Sequence, residues 1–90
     1  MPVQWPDWWK WDLEITPHME KRMTDRGFTE LDLRVMLEDA KGCRPDLQGG
    51  RWIIETRFQG VPWEVVVEPD PADRLLVAVT AYPEEPEVKK

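Results

Sequence analysis

The sequence predicts an α+β domain: a short N-terminal strand, two consecutive helices, then a three-stranded antiparallel meander, with the helices packed on one sheet face. Three observations predict it. Apolar and polar residues alternate at period two over residues 11–15 and again over 51–58, 63–68 and 75–82. Between these runs lie two segments with helix-start residues and apolar positions at helical spacing. Strong turn residues then separate the later runs from one another.

The elements follow in order. Residues 1–10, Met-Pro-Val-Gln-Trp-Pro-Asp-Trp-Trp-Lys, pair prolines with tryptophans and read as an arm. Trp11, Leu13 and Ile15 alternate with Asp12 and Glu14, which predicts a half-buried strand. Thr16-Pro17 opens a helix, Thr16 as N-cap and Pro17 at the first helical position. That helix runs to Arg26 and stops at Gly27, a good C-terminal cap residue. Thr29 caps a second helix with Asp32 as its capping-box partner, and Phe28 with Leu33 forms a hydrophobic staple. Leu33, Met36, Leu37 and Ala40 make its apolar face, and Gly42 ends it.

Residues 43–50, with Pro45 and Gly49-Gly50, read as a loop. Trp52, Ile54, Thr56 and Phe58 then share one strand face and Arg51, Ile53, Glu55 and Arg57 the other. After the Gln59-Gly60 turn, Trp63, Val65 and Val67 oppose Glu64, Val66 and Glu68. Pro69-Asp70-Pro71-Ala72-Asp73 signals the next turn, and Leu75, Val77, Val79 and Ala81 then oppose Leu76, Ala78, Thr80 and Tyr82. The expected core is Trp52, Ile54, Phe58, Trp63, Val65, Val67, Val77 and Val79. Residues 11–82 are expected to form a single domain, and residues 83–90 an acidic, solvated tail.

Composition bounds the function classes. With 90 residues, 41% hydrophobic and 33% charged, the chain suits one small globular domain. At this size folding buries only about 60–65% of the unfolded surface, so the core is thin. The six tryptophans therefore matter, since each buries a large apolar area. No apolar run approaches the ~20 residues that span a bilayer, so no membrane association and a cytoplasmic location are expected. The single Cys43 excludes an internal disulfide, and the single His18 leaves no Cys/His zinc set; neither a metal site nor a cofactor is expected.

The net charge of −6 argues against non-specific duplex binding. Its distribution is uneven, however. Residues 16–60 hold eight basic and eight acidic groups, including six of the seven arginines. A neutral, arginine-rich middle offers a local anion site, because guanidinium binds phosphate bidentately.

Two constellations carry candidate chemistry. The sheet face opposite the helices gathers Arg51, Glu55, Arg57, Glu64, Glu68, Thr80 and Tyr82, and reads either as a solvated face with cross-strand ion pairs or as a ligand surface. On the first helix, His18, Arg22 and Arg26 are spaced four apart and form one stripe at the rim of the buried face. Imidazole titrates near neutrality and guanidinium holds an oxyanion, a sensible set for phosphate chemistry; Asp25 and Glu30 are the alternative partners of those arginines. The arm tryptophans Trp5, Trp8, Trp9 and Trp11 read as core cover or a protein-facing surface, and as a base-stacking platform in the competing view. Cys43 reads as an ordinary loop thiol.

The run from Thr16 to Thr29, with its His-x-x-x-Arg-Met-x-x-Arg-Gly pattern at His18, Arg22, Met23, Arg26 and Gly27, resembles the opening helix of the DUF4258 family. Gly50-Arg51-Trp52, Val65-Val66-Val67 and Val79-Thr80-Ala81-Tyr82 match in order and spacing, so the resemblance covers residues 13–83. It implies a fold similar to RelE-like and BrnT-like toxins and to the barnase, EndoU and colicin ribonucleases. It also implies RNA as a substrate and a cognate antitoxin or other protein as partner; a homodimer is a separate expectation that the resemblance does not supply. By motif position the implied functional residues are His18, Arg22, Arg26, Arg51 and Thr80, with Tyr82; His18, Arg22, Arg51 and Thr80 are expected to be catalytic, Arg26 and Tyr82 to bind substrate together with Arg57 of the polar sheet face, and no metal is expected. The expected function is metal-independent RNA cleavage by 2′-OH transphosphorylation. With one histidine, the second proton-transfer group falls to Glu55, Glu64, Tyr82 or solvent. A non-catalytic protein-interaction module on the same fold is the alternative.

Overall fold

The computed structural model describes residues 5–84; residues 1–4 of the expected arm and 85–90 of the expected tail lie outside the described residues. A 3-10 turn at Asp7–Lys10 leads into β1 (Asp12–Ile15), α1 (Pro17–Arg26), α2 (Glu30–Glu38), β2 (Gly42–Pro45), β3 (Trp52–Phe58), β4 (Val61–Asp70) and β5 (Leu75–Pro83). Both helices start as their sequences dictate. Thr16 accepts a side-chain hydrogen bond from the Met19 amide at 3.0 Å, and Thr29 and Asp32 form a reciprocal capping box. Gly27 closes α1 with φ of 75°, the left-handed conformation that glycine adopts without a Cβ penalty.

The sheet corrects the expected fold. It has five strands, not a three-stranded antiparallel meander, in the order β1-β5-β4-β3-β2. Strands β3, β4 and β5 do form antiparallel neighbours, but β1 runs parallel to β5 at one edge, pairing Asp12 with Leu75 and Ile15 with Ala78. At the other edge β2 pairs with β3, where the sequence predicted a loop. Residues 42–45 have no alternation and carry both Gly and Pro, so strand character there comes from pairing with β3 and not from local propensity. Residues 69–70 belong to β4, which leaves the turn to residues 71–74.

A second correction concerns β5. Val66 pairs with Thr80 but Val67 pairs with Ala78, so Val79 is an extra residue and the strand bulges there. The bulge reverses the alternation. Leu76 and Ala78 face the core before it and Ala81 after it, whereas Val77 and Val79, expected in the core, are only half-buried. Thr80 and Tyr82 are thereby turned to the opposite face, in the rows of Val66 and Glu64.

Helix α1 lies over β5, and α2 lies over β3. Met19 from α1 and Leu33 and Met36 from α2 meet Ile54, Val65, Val67, Leu76 and Ala78 in the core. Thr56, the buried polar residue of that face, donates its hydroxyl hydrogen to the Met36 carbonyl, so the cost of burying it is offset. Phe28 and Phe58 each meet Trp63 edge-to-face and are tilted against each other, with centroids 5.3–6.3 Å apart. Trp8, Trp9 and Trp11 pack against the core, with Trp8 5.5 Å from Trp52. The described part of the arm thus covers the thin core.

Candidate functional site

The polar sheet face is organised in rows by strand register. One row reads Arg44, Ile53, Val66, Thr80 across β2, β3, β4 and β5; the next reads Gly42, Glu55, Glu64, Tyr82. Glu55 and Glu64 are therefore directly opposite each other, an arrangement of like charges that destabilises a sheet unless something neutralises it. Arg44 does so. Its guanidinium bridges to the Glu55 carboxylate and donates from Nη2 to Glu64 Oε2 at 3.1 Å. Gly42 makes room for this: a Cβ there would lie 2.7 Å from Glu55 Oε1.

Glu64 is the most enclosed carboxylate of the network, its side chain 13% exposed against 48% for Glu55. The Tyr82 hydroxyl donates to Glu64 Oε1 at 2.9 Å. Burial, the hydrogen bond to Glu64 and that carboxylate's charge together push the Tyr82 phenol up to about 12, with Arg44 opposing. Tyr82 accordingly keeps its proton at neutral pH and acts as a donor. The hydrogen bond to Glu64 raises the Arg44 guanidinium further above its already high value. Cys43, on β2 and packed against the core, is pushed up by burial first and by the Glu55 charge second, so it stays a thiol at neutral pH.

The structure brings four of the seven sequence-expected residues onto this one face: Arg51, Arg57, Thr80 and Tyr82. Arg51 donates from Nε to Glu68 Oε1 at 3.3 Å. Arg57 is exposed, and among the described residues it makes no ion pair. The other three, His18, Arg22 and Arg26, belong to α1, which lies against β5 on the helix-bearing side. Thr16 ties the start of α1 to β5 through its hydroxyl, 3.3 Å from the Ala78 carbonyl. His18 is exposed, and Arg22 lies 3.7 Å from Asp25. Arg26 donates from Nε to the Ala81 carbonyl at 3.2 Å, between Thr80 and Tyr82 in the chain. Arg26 is thus the α1 side chain of the row that is tied to the β5 backbone beside Thr80 and Tyr82. Arg51 is on β3's approach, two strands away from β5.

Sequence reasoning missed Arg44, because residues 43–50 read as a loop and no local signal placed that side chain beside Glu55 and Glu64. It also left Glu64 as one of several acids, whereas its two partners make it the hub. Among the described residues no group of three His, Cys, Asp or Glu side chains converges as a metal site would require. No helix among them is long and apolar enough to cross a membrane.

A separate concavity of about 580 Å³ opens between the tryptophan arm, β1 and α2. Its apolar floor comes from Leu13, Leu37 and Leu76.

No protein-family model and no curated protein matches the chain, so the DUF4258 resemblance has no further support from either comparison. Among solved structures, the ribonuclease toxin BrnT of Brucella abortus is similar, with a TM-score of 0.64 and 16% identity over 84% of this chain and 99% of that one. At that identity the likeness is one of fold: this chain has a fold similar to that of a ribonuclease toxin.

Proposed function

We propose that this protein is a toxin-type endoribonuclease that cleaves RNA by transphosphorylation. The observation that carries the reading is the match of 84% of the chain to the fold of a ribonuclease toxin. The arginine-bearing polar face supports it. In the proposed reaction the substrate 2′-OH attacks the adjacent phosphorus, the P–O5′ bond breaks, and a 2′,3′-cyclic phosphate and a 5′-hydroxyl are released. His18 exchanges a proton at the 2′ or 5′ oxygen, and Arg22 and Arg51 stabilise the charge that develops on the phosphoryl oxygens. Thr80 positions the phosphate by a hydrogen bond, Tyr82 does so when its hydroxyl turns from Glu64 to a phosphate oxygen, and Arg26 and Arg57 hold flanking backbone. Glu64, ordered by Arg44 and Tyr82, is the strongest candidate for the second proton-transfer group.

The test uses purified protein, structured and unstructured RNA, and excess EDTA. Because arginine supplies the charge stabilisation in this mechanism, cleavage with cyclic-phosphate ends is expected to persist. His18→Ala should lose about 10²–10⁴-fold while staying folded, as removal of a general acid–base group does. Arg51→Ala should lose a comparable factor, with partial rescue by Arg51→Lys. Full activity in His18→Ala would overturn its role.

A second reading, a non-catalytic interaction module, is favoured by two observations. Arg44 and Arg51 already spend their charge on Glu55, Glu64 and Glu68, and α2 leaves Leu31 (74%) and Val35 (51%) exposed one turn apart. A cognate antitoxin, or a second copy of the chain, would be the partner. Induced expression in bacteria discriminates: growth arrest favours the enzyme, indifference the module.

A further inference from the structure

The cleft between the tryptophan arm, β1 and α2 has features of a binding site that neither the polar sheet face nor the α1 row uses. Its volume of about 580 Å³ falls in the range, roughly 300–1,000 Å³, that holds one small ligand. Trp9 and Trp11 line it. Trp9 stacks on Trp5 at 4.4 Å and meets Trp8 edge-on at 6.2 Å. Its indole is therefore packed on one face by Trp5 and along its rim by Trp8, and an aromatic plane supported in this way loses little entropy on binding. Around the indoles stand two cations, Lys10 and Arg34, and two carboxylates, Asp12 and Glu38. Arg34 is oriented by Glu30, which accepts from its Nε and Nη2 and leaves Nη1 without a hydrogen bond among the described residues. Lys10, Asp12 and Glu38 make no ion pair among those residues.

We infer that this cleft binds one guanine nucleotide of single-stranded RNA. Each part of that ligand has a counterpart. The base stacks on indole, as bases do on aromatic platforms irrespective of sequence. Guanine presents N1–H and the N2 amine side by side, so a single carboxylate, Glu38 or Asp12, accepts both. Adenine, cytosine and uracil offer no such adjacent pair of donors. Lys10 and Arg34 meet the phosphate. An apolar side chain of a protein partner would instead cover four charged groups without giving them partners, at a desolvation cost. The inference rests on the RNA reading proposed above and extends it from cleavage to recognition; it does not require the bound nucleotide to be cut.

The experiment follows the indole N–H resonances of the isotope-labelled full chain during titration with guanosine 5′-monophosphate, adenosine 5′-monophosphate, uridine 5′-monophosphate and inorganic phosphate. Saturable shifts of the Trp9 and Trp11 signals are expected, with guanosine bound about tenfold more tightly than adenosine, the factor that an unmet hydrogen-bond pair costs. The double variant Asp12→Asn/Glu38→Gln should erase that preference at unchanged melting temperature. Lys10→Ala and Arg34→Ala should each weaken all three nucleotides by a similar factor of several. No saturable shift at millimolar nucleotide, equal response to phosphate alone, or guanosine preference surviving the carboxylate double variant would each overturn the inference. Its failure is separable from that of the cleavage reading. A parent that cuts RNA without these shifts loses the cleft alone; one that binds guanosine 5′-monophosphate but leaves RNA intact loses the cleavage mechanism alone.

Discussion

Replacing Arg44 with alanine tests the central feature of the polar sheet face, a pair of opposed glutamates held together by one guanidinium. The substitution removes the 3.1 Å hydrogen bond to Glu64, whose side chain is only 13% exposed. A hydrogen bond to a charged group contributes about 1.5–3 kcal/mol when partly shielded. The Glu55 half of the bridge is about half exposed on both sides, at 45% and 48%, so solvent screens it to about 0–1 kcal/mol. Directly opposed like charges then add a repulsion of about 0.2–1 kcal/mol. Because Arg44 is itself half exposed and water replaces part of what is lost, a net destabilisation of about 1.5–3 kcal/mol is expected. In a domain of this size each kcal/mol moves Tm by about 4–8 °C, so the melting temperature should fall by about 6–24 °C.

The assay is thermal unfolding by circular dichroism at low and high ionic strength, on the parent, Arg44→Ala, and Arg44→Ala combined with Glu55→Gln. Added salt should narrow the difference between parent and single variant, because it screens the exposed glutamate repulsion. The double variant should recover part of the loss by removing one of the two like charges. A single variant melting within about 3 °C of the parent, with no recovery in the double variant, would refute the reasoning. It would mean that the two carboxylates turn to solvent and need no counter-charge.

Two further outcomes follow from the same structure. Tyr82 is the only tyrosine, so phenolate absorbance reports it alone; its ionisation should centre near 12, above the ordinary 10.0, and Glu64→Gln should bring it down. The sign is that of a raised acid: the stabilisation is fully present below pH 10 and is lost as pH rises toward 12, so melting temperature should fall across that window, and a midpoint at 10.0 in the folded protein would contradict the Glu64 bond. Phe28→Ala, which empties a 4% exposed position between Phe58 and Trp63, should cost about 3–5 kcal/mol in denaturant unfolding.

The sequence by itself determined the local starts, stops and faces. Thr16, Pro17 and Gly27 bound α1, and Thr29 with Asp32 opens α2, because caps depend on hydrogen bonds within one helical turn. The alternation of β3 and β4 identified Ile54, Val65 and Trp63 as inward and Arg51, Arg57 and Glu64 as outward, since period two is a property of the extended chain. Pairing between distant segments was not legible. Whether residues 12–15 join the sheet, and that they lie parallel to residues 75–78, depends on contacts over sixty residues apart that no local pattern encodes. The same holds for β2, whose four residues become a strand only because β3 presents an open edge. The bulge at Val79 is decided there too: it reverses the phase of β5, and a periodic reading that continues through it puts Val77 and Val79 inside. For the candidate site, residue types and faces came from the chain, and Arg51, Thr80 and Tyr82 fall on the sheet face that the alternation assigns them, with Arg51 two strands from the other two. Their partners did not come from the chain. Arg44 reaches Glu55 and Glu64 across three strands, and electrostatic neighbours across strands are set by register, which only the folded sheet fixes.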